Sequence, residues 1–152
     1  MGSVPNGWTL YQHPLFERRF EELVKAVEAQ KAKSPKTYLA SDAAKRLAAV
    51  RKLVFETIPR DPADKNFRLG GALGDANKNW RRAKFFQQYR LFFRFDSRSK
   101  VIVYAWLNDD DSLRAYASKS DAYRVFAKRL ASGNPPGDLD ALLKSAKRLK
   151  DQ

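Results

Sequence analysis

Between Lys78 and Tyr104 the chain carries eight basic residues, Lys78, Arg81, Arg82, Lys84, Arg90, Arg94, Arg98 and Lys100, against one acid, Asp96. That local surplus of seven is more than half of the net charge of +13. The stretch from Glu17 to Lys33 sets five basic residues against four acidic ones, so the excess is not a uniformly basic skin. Side chains alternate between the two faces of a strand. In Tyr89–Phe95 this puts Arg90, Phe92 and Arg94 on one face and Tyr89, Leu91, Phe93 and Phe95 on the other. In the segment before it, Trp80, Arg82, Lys84 and Phe86 share a face. If the basic sides of two neighbouring strands coincide, arginines and a lysine stand among aromatic rings. Such a surface holds phosphates with its cations and stacks unpaired bases on its rings. Arginines on the open face of a sheet also serve solubility alone, so the pattern points to nucleic acid without naming a reaction.

Other reactive residue types are few. Cysteine is absent, which removes disulfides, thiolate-bound metals and a thiol nucleophile. His13 is the one histidine, so neither a histidine metal site nor a pair of imidazoles for acid–base work can be built in one chain. Its place beside Pro14, at a helix entry, suits capping or packing. The run Asp109-Asp-Asp111 reads as a solvated turn, and no metal site or other cofactor is expected. The glycine-rich stretch Gly70 to Gly74 lacks the lysine of a phosphate-binding loop and reads as a bend. With 30 lysines and arginines against 17 acids and a pI near 10.1, polyanions or an acidic protein are the expected partners. No signal peptide and no membrane-length apolar run is seen, so a cytoplasmic protein with no membrane partner is expected.

These residues need a scaffold, and 152 residues suit one core. Gly7 to His13 alternates like a short strand stopped by Pro14. From Leu15 to about Lys33, Phe16, Phe20, Leu23, Val24 and Val27 recur at helical spacing. After Ser34-Pro35 a second helix bears Leu47, Val50, Val54 and Ile58 up to Pro59, and the two make an N-terminal α-hairpin. Asn66 to Leu69 allows a short strand. Three strongly β segments follow, Trp80–Phe86, Tyr89–Phe95 and Val101–Leu107. A helix with Tyr123, Phe126 and Leu130 ends at Gly133-Asn-Pro-Pro136, and Asp138 caps a last helix bearing Leu139, Leu142, Leu143, Ala146 and Leu149. The strands are too close together for crossover helices between them. The expected fold is α+β, a small, mainly antiparallel sheet with helices packed on one face.

Two longer stretches, Asn6-Gly-Trp-Thr-Leu-Tyr-Gln-His-Pro14 and Lys84-Phe-Phe-Gln-Gln-Tyr-Arg-Leu-Phe-Phe-Arg94, resemble the YhaV family of toxins from type II toxin–antitoxin systems. So do Trp106-Leu-Asn-Asp109, Leu113-Arg-Ala-Tyr116, Lys119-Ser-Asp-Ala-Tyr123 and Gly133-Asn-Pro-Pro136. The resemblance runs in order from about Asn6 to Asp138. It implies a single RelE-like toxin domain over 6–136, of the RelE/ParE superfamily, with a C-terminal helical extension over 137–152. It further implies a metal-independent endoribonuclease, an mRNA interferase that causes growth inhibition and often acts on the ribosome. Its partners would be mRNA and a PrlF-type antitoxin with a DNA-binding fold, operator DNA being reached only through the antitoxin. The alternative on the same scaffold is a non-catalytic ParE-like inhibitor or a nucleic-acid-binding repressor subunit.

Carried over residue by residue, the resemblance assigns the paired basic positions to Arg82 and Lys84 and the arginine of the Tyr-Arg-Leu motif to Arg90. The basic position after the last strand is Arg114 or Lys119, and the tyrosine of the last element is Tyr123 or Tyr116. RNA cleavage by 2′-hydroxyl attack needs a base, cations for the crowded phosphorane and an acid at the leaving 5′-oxygen. Arg82 and Arg90 suit the phosphorane, Lys84 the base, and Tyr123, Tyr116 or Lys119 the acid. Arg94, Trp80, Phe92 and Tyr116 are the expected RNA-binding positions.

Overall fold

The computed structural model describes residues 5–115 and 121–150. Strand β1 (Thr9–Gln12) buries Leu10, and Trp8 just ahead of it is buried too. Pro14 opens helix α1 (Pro14–Lys33), where the missing N–H costs no helical bond. His13 is the cap, its Nδ1 accepting the Leu15 N–H at 3.1 Å, so the capping reading of this histidine holds. Helix α2 (Asp42–Lys52) starts later than Pro35 suggests, because Ser41 supplies the cap by accepting the Ala44 N–H. Beyond it the chain widens into a π turn (Leu53–Thr57) before the single turn α3 (Ile58–Arg60). Two local causes coincide there: Pro59 has no N–H to donate, and the Tyr104 hydroxyl donates to the Val54 carbonyl at 2.7 Å. The Asn66 to Leu69 stretch is mostly a 3₁₀ turn (Lys65–Phe67), with only Arg68 bridged to Arg81.

Strands β2 (Arg81–Phe85), β3 (Tyr89–Asp96) and β4 (Val101–Leu107) form the centre, followed by helices α4 (Ala122–Ala131) and α5 (Leu139–Ser145). A short strand β5 (Lys147–Arg148) ends the described chain. The sheet runs β2-β3-β4-β1-β5. It is mixed, with β1 and β4 parallel and the other neighbours antiparallel.

Helices cover both faces of this sheet, which corrects the expectation of one face. Leu91, Phe93, Ile102 and Tyr104 pack with Phe16 of α1 and Val50 of α2. Phe92, Val103, Ala105 and Trp106 pack with Phe126 of α4 and Leu142 of α5. The reason lies in β3 and β4, which are apolar on both sides, so both sides must be taken from water. A bulge helps: Phe92 pairs with Trp106 and Phe93 with Tyr104, so Ala105 is the extra residue and both it and Trp106 face α4. The last helix is also shorter than its apolar spacing suggests. It ends at Ser145, and Leu149 donates its N–H to the Leu10 carbonyl at 2.8 Å. The outer edge of β1 thereby gains backbone partners that a longer helix would leave unmet.

Candidate active site

The two basic strand sides do coincide. In the β2–β3 register Arg82 lies across from Phe92 and Lys84 across from Arg90, on the face covered by α4. The aromatic part of the expectation fails there. Trp80 and Phe92 are 1% and 0% exposed, with Phe126 edge-on to Trp80 at 5.1 Å and stacked on Phe92 at 4.3 Å. Neither ring has a face left for a base, because α4 spends both on the core. Arg94 is half-covered as well. Its Nη1 donates to the Gly137 carbonyl, its guanidinium lies over Trp80 at 5.7 Å, and its buried Nε has no partner. Burial, only partly offset by Asp138, lowers the Arg94 pKa from the usual arginine range. The structure thus ties Arg94 to the α4–α5 connection and away from the cluster described next.

Three expected residues converge on one atom. Arg82 Nε donates to the Tyr123 hydroxyl at 2.9 Å, and Arg90 Nε donates to the same oxygen at 3.1 Å. Arg114 lies over the Tyr123 ring at 4.8 Å. Arg90 is buried, and its Nη1 also donates to the Gln87 and Tyr89 carbonyls at 2.6 and 2.9 Å. Arg82 Nη1 donates to the Asn66 carbonyl at 2.9 Å. Among the described residues no carboxylate lies within ion-pair distance of Arg82, Lys84 or Arg90. The Arg82 and Arg90 guanidiniums are held by neutral acceptors, which orient them without neutralising them. Lys84 is exposed at the rim. Tyr116 and Lys119 lie outside the described residues.

Two residues that hold this cluster were not singled out from the sequence. The Asp121 carboxylate accepts from Arg114 Nη1 at 2.5 Å, the Ala115 N–H at 2.7 Å and the Tyr123 N–H at 3.1 Å. It caps α4 and sets Arg114 and Tyr123 relative to each other. Asn108 accepts the Arg90 N–H at 2.7 Å and donates to the Gln88 and Ser112 carbonyls at 3.0 and 2.9 Å. It ties the start of β3 to the loop after β4. Both residues sit inside the motifs Trp106-Leu-Asn-Asp109 and Lys119-Ser-Asp-Ala-Tyr123, which was the available signal.

The acidic run is engaged elsewhere. Asp109 pairs with Arg19 at 2.8 Å and caps the turn Asp110–Ser112, while Asp110 pairs with Arg46 at 2.9 Å. Among the described residues no group of three or more histidines and acids is gathered as a metal cage. No helix among them is long and apolar enough to cross a membrane.

A family model described as toxins with endonuclease activity, of toxin–antitoxin systems, matches residues 10–147. The chain is 47% identical over 139 residues to Toxin YhaV of Escherichia coli O6:H1, covering 90% of each chain. It is 46% identical, over the same length and coverage, to Ribonuclease toxin YhaV of Escherichia coli K12. Among solved structures it is similar to the RelBE2 toxin–antitoxin complex of Mycobacterium tuberculosis, with a TM-score of 0.44 and 20% identity over 71% of this chain and 95% of that one.

Proposed function

This chain belongs to the YhaV family, toxins with endonuclease activity from toxin–antitoxin systems, and we propose that its substrate is mRNA, cut at the Arg82–Arg90–Tyr123 cluster by attack of a 2′-hydroxyl on the adjacent phosphate. The observation that carries this reading is the convergence of two guanidiniums on one phenolic hydroxyl, neither of them ion-paired among the described residues. A 46% identical relative, Ribonuclease toxin YhaV of Escherichia coli K12, agrees with it by name.

Attack builds negative charge on the phosphorane oxygens, and a guanidinium meets it with two parallel hydrogen bonds. Arg82 and Arg90 take that role, and Arg114 adds a third cation over the tyrosine ring. The Tyr123 oxygen accepts from both Nε atoms, and the hydroxyl gives its proton to the leaving 5′-oxygen. Lys84, exposed and across from Arg90, is assigned the 2′-hydroxyl proton. The two guanidiniums on the Tyr123 hydroxyl are not paired with a carboxylate among the described residues, so the phosphorane charge is met by arginine. With such modest acid–base groups, much of the rate must come from orientation of the strand, for which the ribosome is a fitting platform. The antitoxin partner is assigned to the PrlF type, its toxin-binding segment rich in acids and apolar anchors to cover the local surplus of positive charge.

The test is to incubate the purified protein with mRNA, with and without ribosomes and with EDTA, and to identify the ends. Cutting that survives EDTA and leaves 2′,3′-cyclic or 3′-phosphates with 5′-hydroxyls is expected. Downstream 5′-phosphates, or activity restored only by magnesium, would overturn the mechanism.

A further inference from the structure

The tip that joins β2 to β3 departs from what folding alone favours. Phe86 and Gln87 both have left-handed backbones, at φ 45° and 61°, in a turn that ordinarily takes asparagine and glycine. Phe86 also leaves 51% of its surface exposed, which with Leu39 makes it one of two large exposed apolar side chains among the described residues. Strain and exposed ring occur together at a place tied to the cluster above: the Gln87 carbonyl is an acceptor for Arg90. Trp80 and Phe92 are buried, whereas Phe86 at the hairpin tip is open to solvent.

Phe86 walls a groove of about 380 Å³ whose other lining is Asp42, Lys45, Arg46, Tyr89 and Asp110. Arg46 Nη1 donates to the Tyr89 hydroxyl at 2.6 Å and to Asp110 Oδ1 at 2.9 Å, and the Tyr89 hydroxyl donates to the same Oδ1. Both contacts to Asp110 use the same carboxylate oxygen. Asp110 Oδ2 has no partner among the described residues, and the side chain is 70% exposed. The Tyr89 hydrogen bond, helped by Arg46, holds the Asp110 carboxyl below the usual carboxylate range despite partial burial, so the open oxygen is an acceptor at neutral pH.

We propose that this groove takes one base of the RNA strand where it crosses the hairpin tip, stacked on Phe86 and donating its amino group to Asp110 Oδ2. The proposal rests on the RNA reading above and deepens it into base selection across the hairpin tip from the cut, on the α2 side of the sheet. The volume is that of a small-ligand pocket, and the wall is a π-face of the kind on which unpaired bases stack. Guanine, adenine and cytosine each offer an exocyclic amino donor. Uracil has no amino group, and its one ring donor on that edge, N3–H, lies between two carbonyls that repel the carboxylate, so it is disfavoured at this position.

Cut sites and rates are to be mapped on one mixed-sequence RNA for the parent, Phe86→Ala and Asp110→Asn, with melting temperature and antitoxin affinity on the same preparations. Phe86→Ala should melt within a few degrees of the parent, lower kcat/KM about tenfold and flatten base preference at one position relative to the cut. Asp110→Asn, which adds a donor, should move preference at that same position toward uracil. If both variants keep the parent's rate and base pattern, the groove is not a base site. Loss of antitoxin affinity with cleavage unchanged makes the tip a protein-docking surface and also overturns the proposal. A parent protein that cuts no RNA at all overturns the RNA reading, and the groove proposal with it.

Discussion

At the scale of residues, Arg90 joins the proposed chemistry to the stability of the hairpin. Its strand position suggests a side chain that could be removed without opening the core, but its guanidinium holds the Gln87 and Tyr89 carbonyls as well as the Tyr123 hydroxyl. Arg90→Ala should therefore cut the cleavage rate by roughly 10²- to 10³-fold. It should also cost about 1–3 kcal/mol of stability through the acceptors left unmet. Arg90→Lys should recover only part of the rate, since an ammonium cannot reproduce the forked donation. Cleavage, melting temperature and antitoxin binding on one preparation separate these effects. An alanine variant that is stable and cuts at the parent rate would remove Arg90 from the site. The sequence offers Arg82, Arg90 and either Tyr123 or Tyr116 as candidates by type and motif, whereas the meeting of Arg82, Arg90 and Tyr123 at one oxygen depends on residues 41 and 33 positions apart along the chain.

At the scale of elements, α4 and α1 each begin on a residue with a second task. Asp121 caps α4 and pairs with Arg114 while its side chain is only 4% exposed. Asp121→Ala breaks a buried pair at a cost of about 3–5 kcal/mol, and the melting temperature should fall by roughly 10 °C. Asp121→Asn retains an oxygen for the Tyr123 N–H but removes the charge that faces Arg114, so it should stay closer to the parent in stability and still lose cleavage. Equal losses of stability in the two variants would show that charge, not the cap, holds α4. In α1, burial holds the His13 imidazole below its ordinary pKa of 6.5. As the pH falls, the unfolded chain binds the proton first. Stability is then full above about pH 6.5 and is lost as the pH falls through the lowered folded value. His13→Asn caps without titrating, so denaturant unfolding between pH 7 and 5 should show a flatter acid limb than the parent. An unchanged limb would assign that acid sensitivity to other groups.

At the scale of the molecule, the charge is concentrated where α1 and α2 do not cover it. Those helices occupy the other face of the sheet, while Arg82, Lys84 and Arg90 share a face with the start of α4. Binding of single-stranded RNA should therefore be dominated by counterion release. With about five phosphates contacted, the log–log dependence of affinity on salt should have a slope near −3.5, at about −0.7 per phosphate. Filter binding or fluorescence anisotropy of a cleavage-dead variant across a salt series measures it. A slope close to zero would contradict a phosphate-binding face.

The sequence by itself determined the α+β class, three central strands within a residue or two, a structural place for His13 at a helix entry and the concentration of charge on β2 and β3. These follow from periodicity, turn residues and local counting, which depend on near neighbours in the chain. The tertiary structure alone decided that helices cover both faces, that β1 lies parallel beside β4, and that the chain returns as β5. It also decided which aromatic residues are available. Trp80, Phe92 and Phe86 look alike in an alternating pattern, yet Phe126 of α4 buries the first two while a left-handed turn leaves the third in water. The physical reason is that alternation tells which side a residue faces but not what covers that side. Coverage is set by the docking of an element more than thirty residues away, whose apolar face finds the sheet only when the whole chain has folded.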